Sequence, residues 1–341
     1  MVLVGTQALA GSMDASRIAR ALTALGLPVY LAGAARGLLG RDADIQFRHA
    51  RSTALREADC VLMCGLPFDF RVGYGRGLAR GACVINANLD ATELIQNRRP
   101  HIAAHMHAGE FVVALAHAMG AAARPQLAPW FAALRANEAA REREIATQAR
   151  ATGPRVDPLF LAARIEALMS QDACLVVDGG DFVATASYLV RPRAPRAWLA
   201  PGVFGTLGVG GGFALGAALA YPKRQVWLLW GDGSAGYSLA EFDTFVRHGV
   251  APIAIIGNDA GWSQIAREQV AVLDSALGTT LRHTDYHRVA EGYGGVGLLL
   301  DDPAQVDATL QQGIAIAASG RPVCVNVHLQ ASSFRAGAIS L

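Results

Sequence analysis

Two oxygen-bearing side chains stand at the ends of two apolar runs in the C-terminal half of the chain. Gln225–Trp230 leads into Gly231-Asp-Gly-Ser-Ala-Gly, and Pro252–Ile256 leads into Gly257-Asn-Asp-Ala-Gly. Between Gly233 and Asn258 lie 24 residues, room for one helical crossover back to a neighbouring parallel strand. Asp232 would then bring an anionic oxygen, and Asn258 an amide oxygen, to one crevice. Such hard donors suit Mg2+ or Ca2+, and Mg2+ held by few protein ligands also takes phosphate oxygens. Gly231, Gly233 and Gly236 let the backbone approach a phosphate closely. Either segment alone reads as an ordinary turn; their pairing after two buried strands is what points to a site. A third run, Leu175–Val177, ends in Asp178-Gly-Gly-Asp.

The elements that must position these residues are legible. Ser238 and Glu241 predict a capping box at the start of the crossover helix. Leu239, Phe242, Phe245 and Val246 give its apolar face, and Gly249 ends it. Val296–Leu300 and Val323–Val327 read as further strands. Upstream, the strand-like runs Val2–Gly5, Pro28–Leu31, Cys60–Cys64 and Ala82–Asn86 alternate with helical patterns at Ser16–Leu25, Arg51–Ala58 and Glu110–Met119. Such alternation predicts parallel sheets covered on both faces. The fold class is α/β, with two doubly wound parallel-sheet domains: residues 1–120, Rossmann-like, and 157–341. Residues 121–156, rich in Ala, Arg and Glu, read as a helical linker. Gly-x-Gly-x-x-Gly is absent after Val2–Gly5, which argues against NAD.

Composition narrows the classes. Of 341 residues, 52% are hydrophobic and 17% charged, enough apolar material for buried sheets. A net charge of +2, with no basic run interleaved with aromatics, gives a nucleic-acid role no electrostatic support. No apolar stretch reaches the roughly 18–20 residues of a membrane span. The start, Met-Val-Leu-Val-Gly, lacks the marks of a signal peptide, so a cytoplasmic location is expected. Five cysteines (60, 64, 83, 174, 324), mostly in strand-like runs, read as buried thiols in a reducing compartment rather than zinc ligands.

The pattern Gly-Asp-Gly, 24 residues, then Asn resembles the signature of thiamine diphosphate enzymes of the acetolactate synthase and pyruvate decarboxylase type. That resemblance implies thiamine diphosphate and Mg2+ as cofactors. Asp232 and Asn258 would ligate the metal through side chains and Ala260 through its carbonyl. It also makes 157–341 the thiamine diphosphate-binding domain and 1–120 the central domain. Phe204-Gly-Thr-Leu-Gly-Val-Gly-Gly-Gly would run under the thiazolium. There the Gly205 carbonyl receives the aminopyrimidine amine, Thr206 adjoins it, and Leu207 wedges the cofactor. Gly180, Asp181 and Phe182 would lie at the diphosphate end with Gly231, Gly233 and Ser234, while Gly261 and Trp262 border the cofactor. Asp181 has an alternative role as a helix N-cap.

A narrower resemblance joins Tyr237-Ser-Leu-Ala-Glu-Phe, Gly257-Asn-Asp-Ala-Gly-Trp-Ser-Gln, Thr284-Asp-Tyr-His, Ala35-Arg-Gly-Leu-Leu-Gly-Arg and the closing Phe334-Arg-Ala-Gly-Ala-Ile-Ser-Leu. Together they are similar to acetolactate synthase-like proteins that act as 2-hydroxyacyl-CoA lyases. The chemistry this implies is ylid attack on a carbonyl, then carbon–carbon cleavage or joining. The substrate would be a 2-hydroxyacyl-CoA, split to formyl-CoA and an aldehyde, with a 2-oxo acid as the alternative. Family members add a pyrimidine-binding domain whose glutamate activates the cofactor, and no residue here takes that role. Two readings follow: part of an enzyme completed by a pyrimidine-domain chain, or a non-catalytic cofactor-binding fragment. Homo-oligomers are also expected.

Other residues carry weaker signals. Arg36, Arg71 and Arg76 near first-domain strand ends would suit CoA phosphates, or be solvated surface arginines. His101, His105 and His107 read as structural. Trp262 and Gln264 would border the substrate, and His283 and His287 flank Asp285-Tyr286 near the site.

Overall fold

The computed structural model describes residues 1–120 and 124–336. The chain divides into two compact units. The first comprises residues 1–144 and 194–196, the second residues 145–193 and 197–341.

The first unit is built on six parallel strands: β1 (Val2–Val4), β2 (Val29–Leu31), β3 (Gln46–Phe47), β4 (Cys60–Cys64), β5 (Cys83–Asn88) and β6 (Ile102–His105). Their order is β3-β2-β1-β4-β5-β6, which reverses direction between β1 and β4. Alternate side chains feed opposite faces, as a period of two requires. Val2 and Val4 pack with Ile18 and Leu22 on one side, and Leu3 with Tyr30, Met63 and Leu134 on the other. The helix Ala15–Leu25 is set by Asp14, whose carboxylate accepts the Ser16 N–H, and by Gly26 in the left-handed region. The expected linker contributes a long helix, Ala128–Gln148, and the first unit extends through Glu144.

The second unit repeats the plan with β7 (Cys174–Val177), β8 (Trp198–Leu199), β9 (Val226–Gly231), β10 (Ile253–Asn258), β11 (Val296–Leu300) and β12 (Val323–His328). All pairings are parallel, in the order β11-β12-β10-β9-β7-β8. Trp227 and Leu229 of β9 enter one core, while Leu228 and Trp230 enter the other. Each tryptophan is fully buried and contributes about 3 kcal/mol of transfer free energy. From β7 the chain passes to β8 on one side and then to β9 on the other. The switch point therefore lies between the carboxyl ends of β7 and β9, where such sheets open a ligand crevice.

The capping box does not form. The helix following β9 begins at Asp232 itself and ends at Ser238, and a second helix spans Glu241–Arg247 with Ala240 as its uncapped N-terminal neighbour. The Ser238 hydroxyl is buried with no hydrogen-bond partner. The expectation failed because Gly233 and Gly236 do not stop the chain from turning helical as soon as β9 ends. The predicted apolar face does hold for Leu239, Phe242 and Phe245, all buried, whereas Val246 is 41% exposed.

Candidate cofactor site

The crevice between β7 and β9 is closed tightly at its base. The Gly231 N–H donates to the Gly179 carbonyl at 2.8 Å. Gly180 has φ +120°, and a Cβ there would stand 2.9 Å from the Gly231 Cα, so only glycine fits. The Ser234 hydroxyl lies 2.8 Å from the Gly179 carbonyl and 3.1 Å from that of Gly231, tying the two strand ends together. Ser234 is thus committed to the backbone. The helices Asp181–Leu189 and Asp232–Ser238 start directly from these glycines, and neither has a side-chain cap. Apart from the Gly233 N–H, which donates to Asp232 Oδ1, their first-turn N–H groups stay available to an anion.

The two predicted metal oxygens meet at one turn. Asp232 is 2% exposed and Asn258 fully buried. Asp232 Oδ1 accepts the Gly233 N–H at 2.8 Å and Oδ2 the Gly261 N–H at 3.0 Å. Asn258 Oδ1 accepts the Ala260 N–H at 3.3 Å. The turn therefore donates from adjacent residues to both side chains. Ala260 itself sits at φ +57°, a left-handed conformation that costs a non-glycine residue about 1–2 kcal/mol. Its carbonyl accepts the Leu281 N–H at 2.8 Å, which leaves one lone pair.

Electrostatics argue for a cation here. Burial, and then the charge of Asp259, push the Asp232 carboxyl up to about 7. Burial likewise raises Asp259 above the usual carboxylate range. Among the described residues Asp232 has no ion-pair partner. A buried carboxylate without a counter-charge, beside a second carboxylate and a buried amide oxygen, has the donor set and the charge deficit that a hard divalent cation fits.

The remaining predicted residues separate by role. Asp181 lies in the first turn of its helix, not at the cap, and pairs with Arg267 at 2.5 Å. That guanidinium offsets the carboxylate at the place where a diphosphate would lie. Phe182 is buried in the core, under Gly257. Gly205 and Thr206 are exposed, and Leu207 is half-buried against Gly179. The Trp262 ring covers Gly233, and the Trp262 backbone N–H donates to the Thr279 carbonyl at 2.8 Å. His283 Nδ1 lies 3.2 Å from Asn258 Oδ1, and His287 Nδ1 3.3 Å from Asn326 Nδ2.

Three contributors went unassigned at the sequence level. Asp178 accepts from the Gly208 and Gly210 N–H groups at 3.1 and 2.8 Å and from Trp230 Nε1 at 3.3 Å. It thereby moors the glycine-rich loop to the end of β7. Burial raises its pKa and these three donors oppose the rise. Asp259 adds negative charge, and Asn326 braces Asn258. The available signal for Asp178 and Asn326 was a polar residue within or directly after an otherwise apolar strand.

In the first unit, Arg71 is paired with Asp69 at 2.6 Å and Arg76 lies over the Tyr74 ring. Burial, aided by the Arg48 charge, lowers the Arg36 pKa. His101 Nδ1 accepts the Val84 N–H at 3.0 Å, His105 Nε2 lies 2.9 Å from the Leu89 carbonyl, and His107 caps the helix Ala108–Met119. All three histidines serve the backbone. Of the closing segment Phe334–Leu341, residues 337–341 lie outside those described.

Residues 178–327 match the model described as thiamine pyrophosphate enzyme, C-terminal TPP binding domain. The chain is 43% identical over 350 residues to 2-hydroxyacyl-CoA lyase 2 of Danio rerio, covering 100% of this chain and 56% of that protein. It is 35% identical over 332 residues to an acetolactate synthase large subunit of Mycobacterium tuberculosis, covering 96% and 58%. The fold matches a thiamine diphosphate-dependent 4-hydroxybenzoylformate decarboxylase of Rhodococcus jostii RHA1. The TM-score is 0.73 at 21% identity, over 97% of this chain and 61% of that one. The chain spans about half the length of the curated relatives it matches.

Proposed function

We propose, from the match of residues 178–327 to the C-terminal thiamine pyrophosphate-binding domain model, that this chain is the central and diphosphate-binding part of a carbon–carbon lyase. Its substrate would be a 2-hydroxyacyl-CoA, cleaved to formyl-CoA and an aldehyde. The observation that carries the reading is the buried, uncompensated Asp232 carboxylate, joined to Asn258 through the Ala260–Gly261 turn at the end of β9 and β10. Similarity to 2-hydroxyacyl-CoA lyase 2 supports the substrate class. The higher identity to that protein than to an acetolactate synthase favours it over a 2-oxo acid.

Bound thiamine diphosphate supplies a carbon nucleophile able to add to a carbonyl and to stabilise charge as the adjacent bond breaks. The chain's residues would hold and orient it. Asp232 and Asn258 would bind Mg2+ through side-chain oxygens, and the Ala260 carbonyl has a lone pair for the same ion. The uncapped helix N-termini at Gly180 and Gly231 would take the diphosphate, with Arg267 offsetting Asp181 beside it. Asp178 would hold the loop of Gly205, Thr206 and Leu207 in place. Leu207 over Gly179 and Trp262 over Gly233 would exclude water.

Proton transfer that activates the cofactor would come from the glutamate of a pyrimidine-binding domain outside residues 1–341, and the assembly would be oligomeric. Support for a further protein surface comes from the exposed Phe204 (90%) and Leu277 (87%). The five cysteines, all free thiols, favour a cytoplasmic setting. The test is to incubate the chain with thiamine diphosphate, Mg2+ and a 2-hydroxyacyl-CoA, with and without a relative's pyrimidine-binding domain. Formyl-CoA and aldehyde, read by mass spectrometry, should form only when that domain is added. Cleavage by the chain alone would refute the need for the domain. Acetolactate from pyruvate, with no acyl-CoA cleavage, would refute the substrate class.

A further inference from the structure

A carboxamide has two ends of nearly equal shape, and only its oxygen can ligate a hard cation. Something must therefore decide which end of the Asn258 side chain faces the Ala260 turn. Asn258 Nδ2 has two acceptors: Asn326 Oδ1 at 3.1 Å and the Thr284 carbonyl at 3.2 Å. Its Oδ1 faces the Ala260 N–H. Asn326, on β12, has its own orientation fixed. Its Nδ2 donates to the Thr284 carbonyl at 3.0 Å and lies 3.3 Å from His287 Nδ1. A backbone carbonyl only accepts, so the Asn326 nitrogen must face Thr284 and its oxygen must face Asn258. Both asparagines are fully buried, so water cannot substitute for a mismatched partner.

We infer that Asn326 is a positioning residue for the metal site: it sets the amide of Asn258 with the oxygen toward the cation. This rests on the Mg2+ reading given above. Reversing the Asn258 amide would oppose its oxygen to two acceptor oxygens and its nitrogen to the Ala260 N–H. Each buried mismatch of that kind costs about 1–3 kcal/mol. Asn326 is paired with Ile256 across β10 and β12, two residues before the register of Asn258 with His328. The sheet itself therefore holds it on the same face as the amide it orients. Partners that orient a ligand in this way typically hold about 10–100-fold in metal affinity.

The test is the free Mg2+ needed for half-maximal thiamine diphosphate binding, followed by tryptophan fluorescence in the full chain, with thermal melting as a check of folding. Asn326→Leu removes the acceptor at similar volume and should raise that concentration about tenfold or more. Asn326→Asp keeps an acceptor oxygen toward Asn258 but sets its second oxygen against the Thr284 carbonyl, so it should raise that concentration less than Asn326→Leu does. Asn326→Ala, measured in parallel, gives the same reading should the leucine variant fail to fold. Wild-type Mg2+ dependence in the leucine and alanine variants would overturn the inference and leave the metal site standing. An aspartate variant shifted as far as the leucine variant would also overturn it, because packing alone would then explain the effect. A wild-type protein that binds the cofactor with no dependence on Mg2+ would remove the underlying reading instead.

Discussion

Replacing Asp232 by Asn should move the stability of the cofactor-free protein and its cofactor binding in opposite directions. The Asp232 carboxyl is lifted from its ordinary 3.8 to about 7 by burial and by Asp259. A folded-state pKa above the unfolded one means that the folded form holds the extra proton between those values. Stability is therefore greatest below about pH 4 and falls as pH rises to about 7. At about 1.36 kcal/mol per tenfold, the ionised form carries a penalty of roughly 4 kcal/mol at pH 8. Asn has no charge to desolvate, but it turns an N–H donor toward the Gly233 or Gly261 N–H, which takes back about 1 kcal/mol. The net expectation is that Asp232→Asn is more stable than wild type by roughly 3 kcal/mol at pH 8 and equal or less stable at pH 4. At about 3 °C per kcal/mol for a unit of this size, that is a melting shift of roughly 9 °C. Thermal melts across pH, with and without Mg2+ and thiamine diphosphate, measure both effects. The two cofactors should raise the wild-type midpoint at pH 8 and leave the variant's unchanged. A variant stabilised by Mg2+ and cofactor as much as wild type would refute the assignment. So would a wild type whose margin over the variant does not change between pH 4 and pH 8.

Further substitutions test the neighbouring groups. Asp178→Ala strands the N–H groups of Gly208, Gly210 and Trp230. It should cost roughly 3 kcal/mol in urea unfolding and weaken thiamine diphosphate binding by calorimetry. Gly180→Ala forces a Cβ against Gly231 at φ +120°. It should destabilise the protein by about 2 kcal/mol and abolish cofactor binding, whereas Gly236→Ala, in open space, should do neither. Arg267→Met leaves Asp181 without its 2.5 Å partner and should weaken diphosphate binding about tenfold, a typical cost of losing a partner that supports a bound charge. Adding Asp181→Ala to that variant should restore most of the affinity, and calorimetric titration of the single and double variants decides it.

The sequence by itself determined the class of fold and pointed to the candidate site. Buried parallel strands read as short apolar runs ending in glycine and polar residues. The run 60–64 coincides with a strand, because a strand covered on both faces has no polar alternation to blur its ends, and the run 296–300 coincides with the half-exposed edge strand β11. Asp232 and Asn258 were legible because chemistry placed at strand ends leaves a local mark. Tertiary structure alone decided what those marks become. The start of the helix at Asp232 depends on β7 lying beside β9, through the contact of Gly179 with Gly231. The partner of Asp181 is 86 residues away, and Asn326 is 68 residues from the amide it holds. The charge state of Asp232 follows from burial, a property of the whole packed unit. Spacing along the chain reports which groups a strand end carries. Which end of the Asn258 amide faces the Ala260 turn, and whether a carboxylate there has a counter-charge, are set by contacts across the sheet that no local pattern encodes.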